Sequence, residues 1–538
     1  MTLIDKENQV SKVSDLEVSD LEASDLEASP LVTDPIANAR KLRPPERIDI
    51  SRHFAETDPS SGLDVARNPR LAKLLKSRHF QFMLILPNQI IFWLVIFVGL
   101  LGTVVPGLNF GTAITWYVWF CLVFVMMVVV GRAWCSMCPF GGFAEWVQRR
   151  TFWGRSQRRL GLGLKLPEGV ARYGFLLSVG MFLLLTWIEE FFNIAGPGNP
   201  MATSFMVLGI VSTALIFFLV FERRTFCRYI CPLSAVIGTV GSMGSVAGFR
   251  TRDREVCVSC ETKDCMRGGE NGYGCPWYTW PGSADSNLSC GLCSECYKAC
   301  PSENIGLFLQ KPLSSVIAPL RRRADVAWAI AILWGLVVFQ QFNATNVYTS
   351  IDGWLNTQMH FPQYPKPVDY VGIIGAISIL MAGIAWGIGR IFAKRDLVVA
   401  KGGDSFVDKT SKFRSFFVPL MYGIIPVVGA DYFARQLPKF FKHSTRVVPA
   451  VANIVGQGST HSALYSTRLL SNPDIVLAQI VVIGLGMFAA MWTSWKISGR
   501  DLASISSRTL GIRIAAVSLA AICGLVAGFL YVIMHAAS

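Results

Sequence analysis

Histidine and charge are scarce in this sequence. Six histidines occur in 538 residues, and Asp, Glu, Lys and Arg together make up only 16%, against 52% hydrophobic residues. A soluble chain of this length would divide into several domains with charged surfaces. Long apolar runs with so little charge point instead to a membrane protein. His360, His443 and His461 fall between apolar runs and His535 lies near the last residue. No two face each other at helical spacing on strong apolar runs, which argues against b-type haem. There is no C-x-x-C-H for covalent haem, no Walker A, no glycine fingerprint behind a strand and no nucleophile–base constellation. No cleavable signal peptide is visible, because the first apolar run starts near residue 80 behind a long polar stretch. The first helix is therefore expected to stay as an anchor.

The charge that is present is uneven. Net charge is +14, yet residues 1–30 are acidic and carry the near-repeat "SDLEVSDLEASDLEAS". That segment has few core-forming residues, so residues 1–78 are expected to form a disordered, acidic, cytoplasmic tail. The basic residues sit mainly between apolar runs, which favours membrane orientation over nucleic-acid binding. About nine spans of bilayer length are expected, at 82–105, 111–130, 171–190, 202–221, 325–342, 369–391, 415–433, 474–495 and 511–535. The segment after the second span holds Arg132, Arg149, Arg150, Arg155, Arg158, Arg159, Lys165 and Arg172. The loop after the third, "EEFFNIAGPGNP", holds none. The positive-inside rule then places the N-terminus and the segment after the second span in the cytoplasm. Residues 434–473 break the pattern: expected outside, they carry Arg435, Lys439, Lys442, Arg446 and Arg468. Either this stretch is interfacial or the seventh span does not cross.

Fourteen cysteines stand out against this background. Cys121 and Cys523 are isolated in apolar runs and read as small buried hydrophobes. The other twelve fall in a reducing compartment, where structural disulfides are disfavoured. Cys290, Cys293, Cys296 and Cys300-Pro301, in "CGLCSECYKACP", follow the C-x2-C-x2-C-x3-C-P pattern of a [4Fe–4S] protein, in which the last cysteine serves the other of two clusters. Structural zinc more often uses two separated C-x2-C knuckles. Cys257, Cys260, Cys265 and Cys275-Pro276 form a looser version. Crossed ligation predicts one cluster on Cys257, Cys260, Cys265 and Cys300, and another on Cys290, Cys293, Cys296 and Cys275.

A third group lies at helix ends. "GRAWCSMCPFG" and "CRYICP" each place Arg-x-x-Cys, a second cysteine and a proline behind a helical hairpin, an internal repeat. Cys135, Cys138, Cys227 and Cys231 are candidates for a further cluster. The alternatives are a redox-active dithiol and a Cys-Pro that only ends each helix. Gln81, Asn88 and Gln89, around Pro87, are candidates for a quinone site, against a plain reading of interhelical hydrogen bonding. Glu189 and Glu190 are candidates for a proton relay, against solvation at the headgroups.

"GRAWCSMCPFG", "CRYICP" and the ferredoxin run resemble the membrane-bound polyferredoxins over roughly residues 80–310. That family includes the quinol-linked ferredoxin subunit of periplasmic nitrate reductase systems and the membrane core of the nitrous-oxide-reductase regulator. The resemblance implies a bacterial cytoplasmic (inner) membrane protein that relays electrons between the quinone pool and a redox partner, and so a component of a quinol-linked oxidoreductase. A redox-sensing regulator or a metalloenzyme assembly factor is the alternative. The family's membrane motif is C-x3-C-P, whereas two residues separate Cys135 from Cys138. The expected fold is an all-α polytopic membrane protein with a small cytoplasmic α+β ferredoxin-like insert. It comprises a four-helix core at 79–249, an iron–sulfur domain at 250–310 and about five further helices at 311–538. The expected partners are lipid, quinone and a redox protein, with no nucleic acid; the expected cofactors are two [4Fe–4S] clusters and a candidate third.

Overall fold

The computed structural model describes residues 62–152, 161–192, 194, 199–244, 246–319, 322–359, 365–394 and 412–536. The acidic repeat and the loop arginines 155, 158 and 159 lie outside these residues. Helix α1 (Arg78–Leu101) carries Pro87 in its interior and ends at Gly102, in extended conformation. The next helical path runs from Phe110 to Arg149 in pieces: a π-turn at Ala113–Trp119, α2 (Phe120–Val130), a short turn Trp134–Met137 and α3 (Pro139–Arg149). Then follow α4 (Gly174–Phe191), α5 (Pro200–Val220) and α6 (Pro232–Gly244).

A short antiparallel sheet pairs β1 (Ala247–Thr251) with β2 (Ile305–Leu309), in register from Ala247↔Leu309 to Thr251↔Ile305. It closes a loop that holds eight of the cysteines and the short helix α7 (Glu295–Ala299). The rest is a second helical bundle: α8 (Ala324–Phe342), α9 (Pro365–Phe392), α10 (Lys412–Gly423), α11 (Ile425–His443), α12 (Asn472–Ile497) and α13 (Thr509–Ala536). Helix α8 forms its centre, with Ala327, Ala331 and Leu333 wholly inaccessible.

Among the described residues seven helices are long and apolar enough to cross a membrane, or up to eight if the pair Lys412–Gly423 and Ile425–Ile454, bent by 42°, counts as one. Helix α4 has 18 residues, about 27 Å at 1.5 Å per residue, just short of a typical hydrocarbon core, and is not among the seven. Large apolar side chains point away from the protein in helical stripes: Leu477, Val481, Leu485, Phe488 and Trp492 on α12 are all exposed. With every backbone group satisfied inside the helix, such a stripe belongs against lipid.

Small residues set the helix crossings, as is usual where no hydrophobic force drives helix against helix. A Cβ on Gly99 of α1 would sit 1.9 Å from Ser204 Oγ of α5, and one on Gly244 of α6 would sit 1.4 Å from the Val128 carbonyl oxygen of α2. Gly209, also in α5, has open space at that position. Gly244→Ala is therefore expected to lower the melting temperature in detergent, at a cost of about 2 kcal/mol. Gly209→Ala is expected to leave it unchanged or slightly raised.

Candidate iron–sulfur centres

The Cys-Pro step explains how a thiol leaves a helix in the right place. Proline forbids helical geometry to the residue before it, so Cys138 (φ −66°, ψ 128°) and Cys231 (φ −53°, ψ 120°) are extended. The proline itself starts the next helix, where its missing N–H costs nothing. Each cysteine thus caps a helix N-terminus, α3 or α6, and the first amides of that helix face its sulfur. Positive helix ends favour thiolate over thiol.

The two pairs converge. Burial pushes the Cys227 thiol up to about 12 and that of Cys231 well above its ordinary value; both face Cys135 and Cys138, whose charges add to the rise. Gly141 completes the cradle: a Cβ there would meet Cys227 Sγ at 3.3 Å. The backbone of the same cysteines is pinned outward. Arg224 Nη1 donates to the Cys135 carbonyl (2.8 Å), Ser234 Oγ to that of Cys227 (2.7 Å) and Ser178 Oγ to that of Cys231 (2.7 Å). Buried thiols are comfortable when neutral. Four thiolates are not, unless cations share their charge.

Two of the buried cations reach the backbone of these cysteines. Arg132 and Arg224, each three residues before the first cysteine of its pair, are 2% and 1% exposed. Arg224 binds Glu145 through Nε (3.1 Å) and Nη2 (2.5 Å), and Arg149 pairs with the other Glu145 oxygen. Burial alone would lower Arg224, but Glu145 and the Cys227 and Cys293 thiols outweigh it and raise it above its ordinary value. Arg132 reaches the insert directly, donating to the Leu288 carbonyl (2.8 Å). The Trp277 ring lies 4.9 Å from Arg224 and 5.8 Å from Arg132. Arg224 therefore faces a thiol of the membrane set and a thiol of the insert at once.

Within the insert the thiols lie near one another. Burial pushes Cys265 up to about 12, and it faces Cys300, Cys257, Cys260 and Cys275. Burial also pushes Cys275 up to about 11 beside Cys290, and Cys296 well up beside Cys275, Cys290 and Cys293. Cys265 and Cys296 also face each other. The two Cys-Pro steps are handled alike. Tyr278 and Glu303, three residues after Cys275 and Cys300, adopt left-handed conformations (φ 55° and 50°). The following amides, Thr279 N and Asn304 N, then turn back to donate to the cysteine sulfurs, each at 3.3 Å. Lys263, Leu292 and Ser294 are left-handed too, and such turns present amides to anionic sulfur. Thr251 Oγ1 (3.0 Å) and Asn304 Nδ2 (3.4 Å) complete the shell of Cys257.

Clustered thiols with amide donors are the donor chemistry of a cubane cluster. Among the described residues no three Cys, His, Asp or Glu side chains come close enough for a single metal ion. All fourteen cysteines are unpaired, and Cys121 and Cys523 lie buried apart from the sets.

A cavity of about 350 Å³ opens beside these sets, between the start of α1, helix α3 and the insert. Phe82, Trp146 and Phe152 form one wall, with ring centroids 5.1–5.8 Å apart. Gln81, Arg149, Glu145 and Lys298 supply polar groups. Of the amides singled out in the sequence, Gln81 lines this cavity and the other two do not. Asn88 Nδ2 bonds the Leu84 carbonyl of its own helix (3.0 Å), and the Gln89 amide links the Pro139 carbonyl (3.1 Å) to Trp93 Nε1 (2.9 Å). Glu189 and Glu190 lie at the other end of α4, where Glu190 pairs with Arg435 (3.6 Å).

Residues 112–161 and 203–247 match the 4Fe–4S binding domain family. These two segments carry Cys135, Cys138, Cys227 and Cys231; the insert's eight cysteines lie outside them. In these segments the membrane core is similar to that of the polyferredoxins. The chain is 31% identical over 140 residues to the ferredoxin-type protein NapH of Escherichia coli K12, a match covering 24% of this chain and 44% of that protein. No solved structure matches. The arginines, Glu145 and Trp277 around the polyferredoxin-like core were not assigned a role from sequence. The signal was the Arg-x-x-Cys spacing shared by both motifs.

Proposed function

We propose that this iron–sulfur electron-transfer protein holds three clusters, two in the insert and one on Cys135, Cys138, Cys227 and Cys231, and exchanges electrons between the quinone pool and a redox partner. The observation that carries the reading is Arg224, buried beside Cys135 and Glu145, whose charge is felt by both Cys227 of the membrane motifs and Cys293 of the insert. A [4Fe–4S] cluster, when bound, supplies one-electron storage and transfer. The chain supplies the rest. The thiolates hold the metal, the amides and buried arginines offset the negative charge, and burial keeps water from the sulfurs. Two crossed sets then lead away from the membrane set through adjoining side chains.

Quinol oxidation, QH2 → Q + 2 e⁻ + 2 H⁺, also needs a flat apolar slot and a proton acceptor. The cavity beside α1 offers the aromatic wall and Gln81 for the ring, with Glu145 and Glu295 at its lining. Its volume falls in the range of ordinary ligand sites. Trp146→Ala is expected to raise the KM for a short-chain quinol about tenfold, the effect of losing roughly 1.4 kcal/mol of contact, with iron content unchanged. The test of the function is reduction of the protein in vesicles by quinol under anaerobic conditions. Reduction at turnover rates supports electron transfer. Reduction by one equivalent without turnover favours a sensor or assembly factor.

A further inference from the structure

The second bundle has a polar interior that electron transfer does not use. Asp431 in α11 is wholly buried, as are Gln341 of α8 (2% exposed) and Tyr531 of α13 (1%). Gln341 Nε2 donates to Asp431 Oδ1. Three polar atoms of this trio, Asp431 Oδ2, Gln341 Oε1 and Tyr531 OH, have no partner of good hydrogen-bond geometry, although Tyr531 lies close enough to act on both Asp431 and Gln341. Buried polar atoms in proteins are nearly always bonded. Three without a well-aligned partner, on three helices that meet at one carboxylate, mark a place built to hold something small and polar. An ionisable residue at membrane depth is a functional group by default.

Helix α11 adds a path. Asp431, Arg435, Lys439 and His443 recur every fourth residue and so share one face. The stripe spans twelve residues, about 18 Å at 1.5 Å per residue. Arg435 makes its ion pair with Glu190 of α4, and about a third of each of those side chains is exposed. Lys439 lies over Trp116 (5.5 Å), and His443 lies beside Tyr117 (5.2 Å). The Glu190 end of α4 is the end away from the cysteines, because Ser178, twelve residues earlier in the same helix, bonds Cys231. The groups facing Asp431 are thus Arg435 from its own helix, Tyr531 from α13 and Gln341 from α8. Nearby, α12 brings Gln479 to the Ala434 carbonyl (3.0 Å), α2 stacks Phe124 on Tyr432, and α6 meets Gly429 with Val240 and Met243.

We propose that Asp431, Gln341 and Tyr531 form a proton-binding site inside the second bundle, loaded along the Glu190–Arg435–Lys439 face from the side of the membrane opposite the cysteine sets. The step is a simple protonation: the Asp431 carboxylate takes one proton from water on that side and becomes a carboxylic acid whose single O–H donates to Gln341 Oε1, while the Tyr531 hydroxyl donates to the carboxyl. A proton suits the site better than a metal cation, because the Arg435 guanidinium one turn away repels a fixed positive charge, whereas a protonated carboxyl is neutral.

The test is infrared spectroscopy of the full chain in vesicles, which reads the carboxylic C=O band directly and does not depend on iron or on electron transfer. A band of a protonated carboxyl is expected in the wild type at neutral pH, absent from Asp431→Asn, and shifted by carbon-13 aspartate labelling of the unmutated protein. Labelling keeps the test decisive if the variant does not fold. Exchange of that proton for deuterium is expected to slow about a hundredfold in the Glu189→Gln/Glu190→Gln double variant, the scale of removing a positioned proton-transfer group. A wild type with no label-sensitive carboxylic band, a band that survives in Asp431→Asn, or exchange at the wild-type rate in the glutamine pair would overturn the proposal.

Discussion

Arg224→Met is expected to destabilise the chain by about 3 kcal/mol and to strip iron from the membrane-surface thiols. The guanidinium is buried, bonds Glu145 twice, holds the Cys135 carbonyl at 2.8 Å and lies 4.9 Å from the Trp277 ring. Methionine fills much of the space but removes both Arg224 bonds to Glu145 and leaves four thiolates with one buried cation fewer. Breaking one side of a buried pair typically costs about 3–5 kcal/mol, and the surviving Arg149 contact puts this case at the lower end. Glu145→Gln is expected to cost less, because Arg224 keeps the Cys135 carbonyl and its place facing the thiols. The double variant Arg224→Met/Glu145→Leu is expected to regain part of the stability but none of the iron, since the charge balance of the thiolates is still lost. Thermal unfolding in detergent, with iron determined on the same samples, checks both. An Arg224→Met protein with wild-type iron would contradict the assignment.

The largest functional effect is expected from the four membrane cysteines. Cys135→Ser, Cys138→Ser, Cys227→Ser and Cys231→Ser should each abolish quinol-driven reduction of the insert, with rates down by about a thousandfold, and the double variant Cys135→Ser/Cys227→Ser should be no worse than either single one. The four sulfurs face one another from two separate helix ends, and groups that act as one unit fail together. A dithiol pair would behave differently: loss of Cys135 or Cys138 would then leave Cys227 and Cys231 competent. Stopped-flow reduction by quinol separates the cases.

The cysteine motifs are legible in the sequence because ligand spacing is a local property. C-x2-C-x2-C-x3-C-P holds its geometry within one short stretch, and proline dictates the conformation of the cysteine before it. The residues that surround the thiols are not legible in this way. Arg224 meets Glu145 across 79 residues and Arg132 meets Leu288 across 156, so only the recurring Arg-x-x-Cys hinted at them. Gln89 reads either as a quinone ligand or as an interhelical tie, and in the fold it ties α1 to the start of α3. Arg435 and Lys439 upset the positive-inside count because they belong to a helix face that runs inward to Asp431. Their four-residue period was visible, but its meaning depends on Gln341 and Tyr531, which arrive from distant helices. The break at Ile424 between α10 and α11 divides an apolar stretch that composition alone reads as one span.

The most direct test of the three-cluster account is the iron and acid-labile sulfide content of the anaerobically purified chain and of its Cys227→Ser variant. The account predicts about twelve of each per chain in the wild type and about eight in the variant, the two insert clusters remaining intact. A wild type with about eight iron, unchanged by Cys227→Ser, would contradict it and leave the paired Cys-Pro motifs as helix ends.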